Sequence, residues 1–165
     1  MRISLSFDQS RRAAYERYSI MNTEEAFARE LLDHAKGFRD ASRHLVDGKP
    51  FLYHPTFYCA IHSVELAIKA HLAVAGVSKK RLSARELGHN LAALLKEAEK
   101  LKIADTLQLD CHDRHNISLG SSAYSGKCFE YPELLYSTFP IGVWLEWADN
   151  VIDGFPEYGG KPNKS

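Results

Sequence analysis

The stretch from Phe57 to Ala75, FYCAIHSVELAIKAHLAVA, decides the fold. Phe57, Ile61, Val64, Ile68, Leu72 and Ala75 recur at steps of three and four, the spacing that lines side chains along one side of an α-helix. Tyr58, Cys59, Leu66 and Val74 widen the apolar surface beyond that stripe. A helix that is apolar on more than one side needs neighbours on more than one side. It is therefore expected at the centre of a helical bundle. Pro55 suits its first turn, where a missing N–H goes unnoticed, and Gly76 is placed to end it.

Working outward, helical periodicity dominates from Asn22 to Ile152. A first helix is expected from Thr23 to Val46, with Asn22 as N-cap and Glu25 three residues on, a capping-box spacing. Phe27, Leu31, His34, Phe38, Ala41 and Leu45 form its expected buried stripe. A third helix is expected from His89 to Lys102, facing inward with Leu91, Leu94, Leu95, Ala98 and Leu101. A short helix should follow from Ala104 to about His112. The segment Gly120–Lys127 is rich in Gly and Ser and reads as irregular. The last helix is expected from Thr138 to Ile152, with Trp144, Ala148 and Val151 inward. No segment alternates with period two. The fold class is all-α, an up-and-down bundle of four main helices with additional short helices. Residues 1–22 form an N-terminal arm, 23–158 the bundle and 159–165 a flexible tail. Arg11 to Ile20 is a candidate extra helix.

Composition narrows the function classes. The chain has 165 residues, enough for one domain with a real core. Lys plus Arg and Asp plus Glu are 21 each, so no chain-wide basic footprint marks a nucleic-acid binder. No uninterrupted apolar run reaches the length of a membrane span, and the first residues lack a secretory h-region. Cys59, Cys111 and Cys128 are odd in number and lack CxxC spacing, which reads as reduced thiols in a cytoplasmic protein. No Walker A, GxGxxG, GxSxG or HExxH motif occurs, so no cofactor is expected.

His62-Ser63-Val64-Glu65-Leu66-Ala67-Ile68-Lys69-Ala70-His71-Leu72, followed by Gly88-His89-Asn90-Leu91, resembles the HEPN superfamily. The similar branch reads roughly H-S-x-E-L-x-L-K-A-x-L and then G-H-D-L; here Ile68 stands for Leu and Asn90 for Asp. The match covers Phe57 to Leu95. The resemblance implies a dimeric helical bundle. Family members include RNA-cleaving toxins or defence effectors and also non-catalytic partners of nucleotidyltransferases, or binders of nucleotides or RNA. For this chain the expected reading is a homodimeric, non-catalytic module that binds a protein partner, a nucleotide or RNA, in a toxin–antitoxin or defence setting, away from membranes. Trp147 and Tyr58 supply apolar surface in excess of one interior stripe, and are candidates for the dimer contact.

The residues themselves set the alternatives. Glu65 and Lys69 are one turn apart, and a carboxylate on an apolar stripe must find a partner. His89, opening the next helix, is the expected one, which gives Glu65, Lys69 and His89 a structural role. The family's nuclease signature is an Arg, a polar residue, a short spacer and then a His, four to six residues standing between Arg and His. An imidazole activates the ribose hydroxyl or protonates the leaving oxygen, and a guanidinium stabilises the phosphorane. Arg39 and His44 fit this form, as do Arg29 and His34. The alternative function is thus a metal-independent endoribonuclease using Arg39 and His44. Both pairs lie in the first helix, whereas the family motif lies late, and on the order of one such match arises by chance. Arg11, Arg12 and Arg17, interleaved with Tyr15 and Tyr18, are candidate nucleic-acid contacts. Cys111, His112, His115 and Cys128 are a weaker zinc alternative without paired spacing, and no metal site is expected.

Overall fold

The computed structural model describes residues 23–48, 53–125 and 140–156. The arm with Arg11, Arg12 and Arg17, Cys128, the start of the expected last helix and the tail lie outside the described residues. The elements are α1 (Thr23–Asp47), α2 (Tyr53–Val74), α3 (Lys79–Leu82), α4 (Leu91–Lys100), a 3-10 turn (Ala104–Leu107), α5 (Cys111–Ser125) and α6 (Ile141–Asp153). No strand occurs among the described residues, so the fold is all-α.

Helix α2 is the axle. Every residue from Ser63 to Ala73 is buried. Helices α1, α4 and α6 all pack against it. By length and hydropathy α2 is one helix that could cross a membrane, but 78% of that window is buried inside the fold, so its apolar sides are used internally. It ends in a Schellman motif. Val77 N–H reaches Leu72 O at 3.0 Å, Gly76 N–H reaches Ala73 O at 3.0 Å, and Gly76 takes φ +91°.

The α1–α2 seam is built from small residues. Ala28, Ala35 and Ser42, seven apart, are fully buried on α1; Thr56, Ser63 and Ala70, also seven apart, are fully buried on α2. Ser63 Oγ donates to Ala35 O at 2.8 Å, and Ser42 Oγ donates to Thr56 O at 2.9 Å. Moving from Ala35 to Ser42 on one helix moves from Ser63 back to Thr56 on the other, so the two run antiparallel. This corrects the expected α1 stripe. Phe27, Leu31, Phe38 and Leu45 are only half-buried, and His34 and Ala41 are exposed. Large side chains would hold the backbones apart. The small ones allow close approach, and the aromatic and leucine side chains flank the seam.

Three further elements depart from expectation. Helix α4 begins at Leu91, because Asn90 caps it by accepting from Ala93 N–H at 3.0 Å. His89 thus belongs to the preceding loop. The expected Ala104–His112 helix is a 3-10 turn that breaks at Gln108, φ +51°. A new helix then starts through a reciprocal cap. Asp113 N–H donates to Asp110 Oδ1 at 2.7 Å, and Asp110 N–H to Asp113 Oδ2 at 3.3 Å. The expected irregular segment from Gly120 is instead the end of α5, at least to Ser125. Tertiary packing outweighs the poor propensity of Gly and Ser there. A Cβ on Gly120 would lie 2.6 Å from the Trp144 ring, so glycine lets α5 seat against α6.

Trp147 is buried, not surplus, and its Nε1–H donates to Asp113 Oδ1 at 2.9 Å. Ile61, Val64, Ile68, Leu72, Leu91, Leu94, Leu95, Trp144 and Val151 form the core as expected. His71, also buried, closes the end of α6. Its Nε2 lies 2.8 Å from Val151 O, which can only accept, so Nε2 carries the proton and Nδ1 faces Thr106 Oγ1 at 3.2 Å.

Candidate functional site

Glu65 is fully buried at the middle of α2, and four polar side chains, Lys69, Tyr124, His89 and His62, are arranged around its carboxylate. Lys69, one turn on, donates from Nζ to Glu65 Oε1 at 2.5 Å and to Gly88 O at 2.5 Å. The other oxygen, Oε2, accepts from Tyr124 hydroxyl at 2.5 Å and from His89 Nδ1 at 3.1 Å. His62, one turn earlier on α2, brings its Nδ1 to 3.4 Å from the same oxygen and 2.6 Å from Tyr124 hydroxyl. Tyr124 has one proton and gives it to the carboxylate, so the His62 Nδ1–H is the donor to the phenol oxygen.

The helix lattice explains the convergence. His62, Glu65 and Lys69 are separated by three and four residues and project from one face of α2. The Lys69 bond to Gly88 O pins the loop ahead of α4, and the Asn90 cap fixes where that loop ends, so His89 is aimed at Glu65. Tyr124 comes from the last turn of α5. The His62 ring is held by the edge of Phe38, centroids 4.5 Å apart, and by Tyr58 stacked at 5.5 Å.

Electrostatics follow from burial and partners. Burial alone would raise the Glu65 carboxyl. The His62 hydrogen bond, the charge and hydrogen bond of Lys69 and the Tyr124 hydroxyl outweigh it and hold the carboxyl at about 2. Burial, followed by the Glu65 charge, pushes the Tyr124 phenol well above its usual range. The cluster opens to solvent at one side: the His89 side chain is 64% exposed and that of His62 15%.

The sequence-derived residues fall into separate groups. Glu65, Lys69 and His89 meet: the one-turn spacing aligns Glu65 with Lys69, and the loop ahead of α4 brings His89 to them. His62 and Tyr124 complete the group without having been singled out as site residues. His62 was legible, being three residues before Glu65, whereas Tyr124 lay in a stretch without visible helical signal. Arg39 and His44 are five apart on α1 and diverge by about 140° around its axis. Arg39 Nη1 reaches Asp149 Oδ1 at 3.3 Å and its Nε reaches Asp40 Oδ1 at 2.9 Å, while Arg43 also pairs with Asp149. His44 and His34 are exposed. Cys111, His112 and His115 are exposed on the first turns of α5, and Cys111 and His115 line a groove against α4 with Lys96 and Arg114. Among the described residues, the group with metal-ligating character is instead His62, Glu65 and His89. Comparison of the chain with protein-family models, with curated proteins and with solved structures finds no match.

Proposed function

We propose that the chain is a non-catalytic, HEPN-like module: an up-and-down bundle of four main helices that acts as a homodimer and binds a protein partner, a nucleotide or RNA. One observation carries the reading. The two stretches of the family-like pattern, His62–Lys69 on α2 and Gly88–His89 ahead of α4, meet at one buried carboxylate: His62, Lys69 and His89 surround Glu65, and Lys69 also holds Gly88 O. Their arrangement locks the loop ahead of α4 onto α2, a role in building the bundle. The endoribonuclease alternative draws less support. Arg39 is engaged by two carboxylates, and His44 leaves the same helix in another direction. A partner from the nucleotidyltransferase class fits the non-catalytic members of the family that the pattern resembles.

The test has two arms. Light scattering at micromolar concentration should return twice the chain mass of 18.6 kDa. Single-stranded RNA incubated with the chain in EDTA should stay intact. A monomer mass would remove the dimer. Cleavage that disappears in both Arg39→Ala and His44→Ala, with unchanged melts, would establish the nuclease instead.

A further inference from the structure

We propose that His62, Glu65 and His89 form a binding site for one divalent cation of the zinc class, with the Tyr124 hydroxyl as the fourth donor. The donor atoms of the three residues all lie within 4.8 Å of one another. The two imidazole Nδ1 atoms are 3.4 and 3.1 Å from Glu65 Oε2. Around an ion with bonds of about 2.1 Å, neighbouring donors of a tetrahedron lie about 3.4 Å apart. These two separations are close to the edges of such a polyhedron, and the donors of the two imidazoles lie within 4.8 Å of each other.

The donor chemistry selects the ion. Two imidazoles and one carboxylate suit zinc, cobalt or nickel, whereas calcium and magnesium favour all-oxygen shells. Lys69 occupies Oε1 and is itself anchored on Gly88 O, so Oε2 is the oxygen left to bind in a monodentate way. On binding, both imidazoles would move their proton from Nδ1 to Nε2 and present the Nδ1 lone pair to the ion. The packing of Phe38 and Tyr58 against His62 already fixes one ring plane, as the shell around a metal ligand must. Tyr124 hydroxyl, 2.5 Å from Oε2, 2.6 Å from His62 Nδ1 and 3.5 Å from His89 Nδ1, stands where the three donors converge. An entering ion displaces it outward into the fourth position. The exposed edge of His89 is the entry path. Bound there, the ion would join α2, the loop ahead of α4 and α5 at a single point.

The experiment uses the whole chain, stripped with EDTA, desalted and titrated with ZnCl2 by calorimetry, with elemental analysis of the dialysed product. One ion per chain is expected. Affinity should fall more than about tenfold in His89→Ala, an exposed position whose loss leaves the core intact, and stoichiometric uptake should vanish in the His62→Ala/His89→Ala double variant. Cys111→Ser/His115→Ala should bind like wild type. His89→Gln, checked by circular dichroism, repeats the test if the alanine variant loses helicity. Cobalt bound in place of zinc should give a visible absorption band of tetrahedral strength that Tyr124→Phe alters. Absence of stoichiometric uptake by wild type, or uptake unchanged in the double histidine variant, would overturn the proposal.

Discussion

Replacing Glu65 by Gln removes one charge from the centre of the fold and leaves nearly the same volume. In the wild type, Oε1 holds the Lys69 ammonium, and Oε2 holds Tyr124 and His89, all at hydrogen-bond distance around a fully buried carboxylate. The variant leaves a mostly buried ammonium with the Gly88 carbonyl and a neutral amide. Breaking a buried ion pair from one side costs about 3–5 kcal/mol. A second route gives a similar size. A carboxyl held at about 2 in the fold, against 4.5 in the unfolded chain, contributes about 3 kcal/mol at neutral pH. The sign is that of a depressed acid: the contribution is complete above 4.5 and is lost as pH falls from there towards 2. For a domain of this size the loss corresponds to a drop in Tm of about 10 °C. The assay is urea and thermal unfolding at pH 7 in EDTA, so that no bound ion contributes. Lys69→Met and the double variant Glu65→Gln/Lys69→Met complete a cycle. The double variant should lose less than the two single losses added together, because it leaves no unpaired buried charge. A loss below about 1 kcal/mol for Glu65→Gln, or strict additivity in the cycle, would refute the view that this carboxylate organises the bundle.

Three other perturbations probe separate features. Gly120→Ala places a methyl 2.6 Å from the Trp144 ring and should destabilise by about 1–3 kcal/mol, read from denaturant midpoints, whereas Gly142→Ala, with open space around it, should not. His71 is buried neutral, which lowers its pKa through desolvation against the favourable bond to Val151 O; stability should therefore be complete above the ordinary histidine range and decline as pH falls below it. Melts between pH 7.5 and 5.5 should show a decline that flattens in His71→Gln. Lys102 occupies the left-handed position after α4 at φ +57°, with Ile103 N–H bonded to Ala98 O and its own N–H to Glu99 O. Lys102→Gly relieves about 1–2 kcal/mol of strain against about 0.5–1 kcal/mol of added chain entropy, so a small net gain in Tm is expected.

Much of the architecture was written in the sequence, because α2 carries its helical period and its surplus of apolar residues on its face. From Ile61 to Leu72 the large buried side chains follow at three and four, and Gly76 marks a boundary that local backbone chemistry alone explains. Spacing also aligned Glu65 with Lys69, since neighbours one turn apart share a helix face whatever the fold. Tertiary structure decided the rest. The α1–α2 seam runs through Ala28, Ala35 and Ser42, and small residues carry too little hydropathy to announce a buried face that only close helix approach rewards. Helix α5 continues through Gly120 and Ser121 because Trp144 needs the space a missing Cβ leaves, a requirement set by α6 and not by local propensity. Tyr124 joins Glu65 across 59 positions, and His89 across 24. Contacts at such separations have no period to read. They exist because a carboxylate carried into the core by its own helix must take its hydrogen bonds from whichever segments the packing brings within reach.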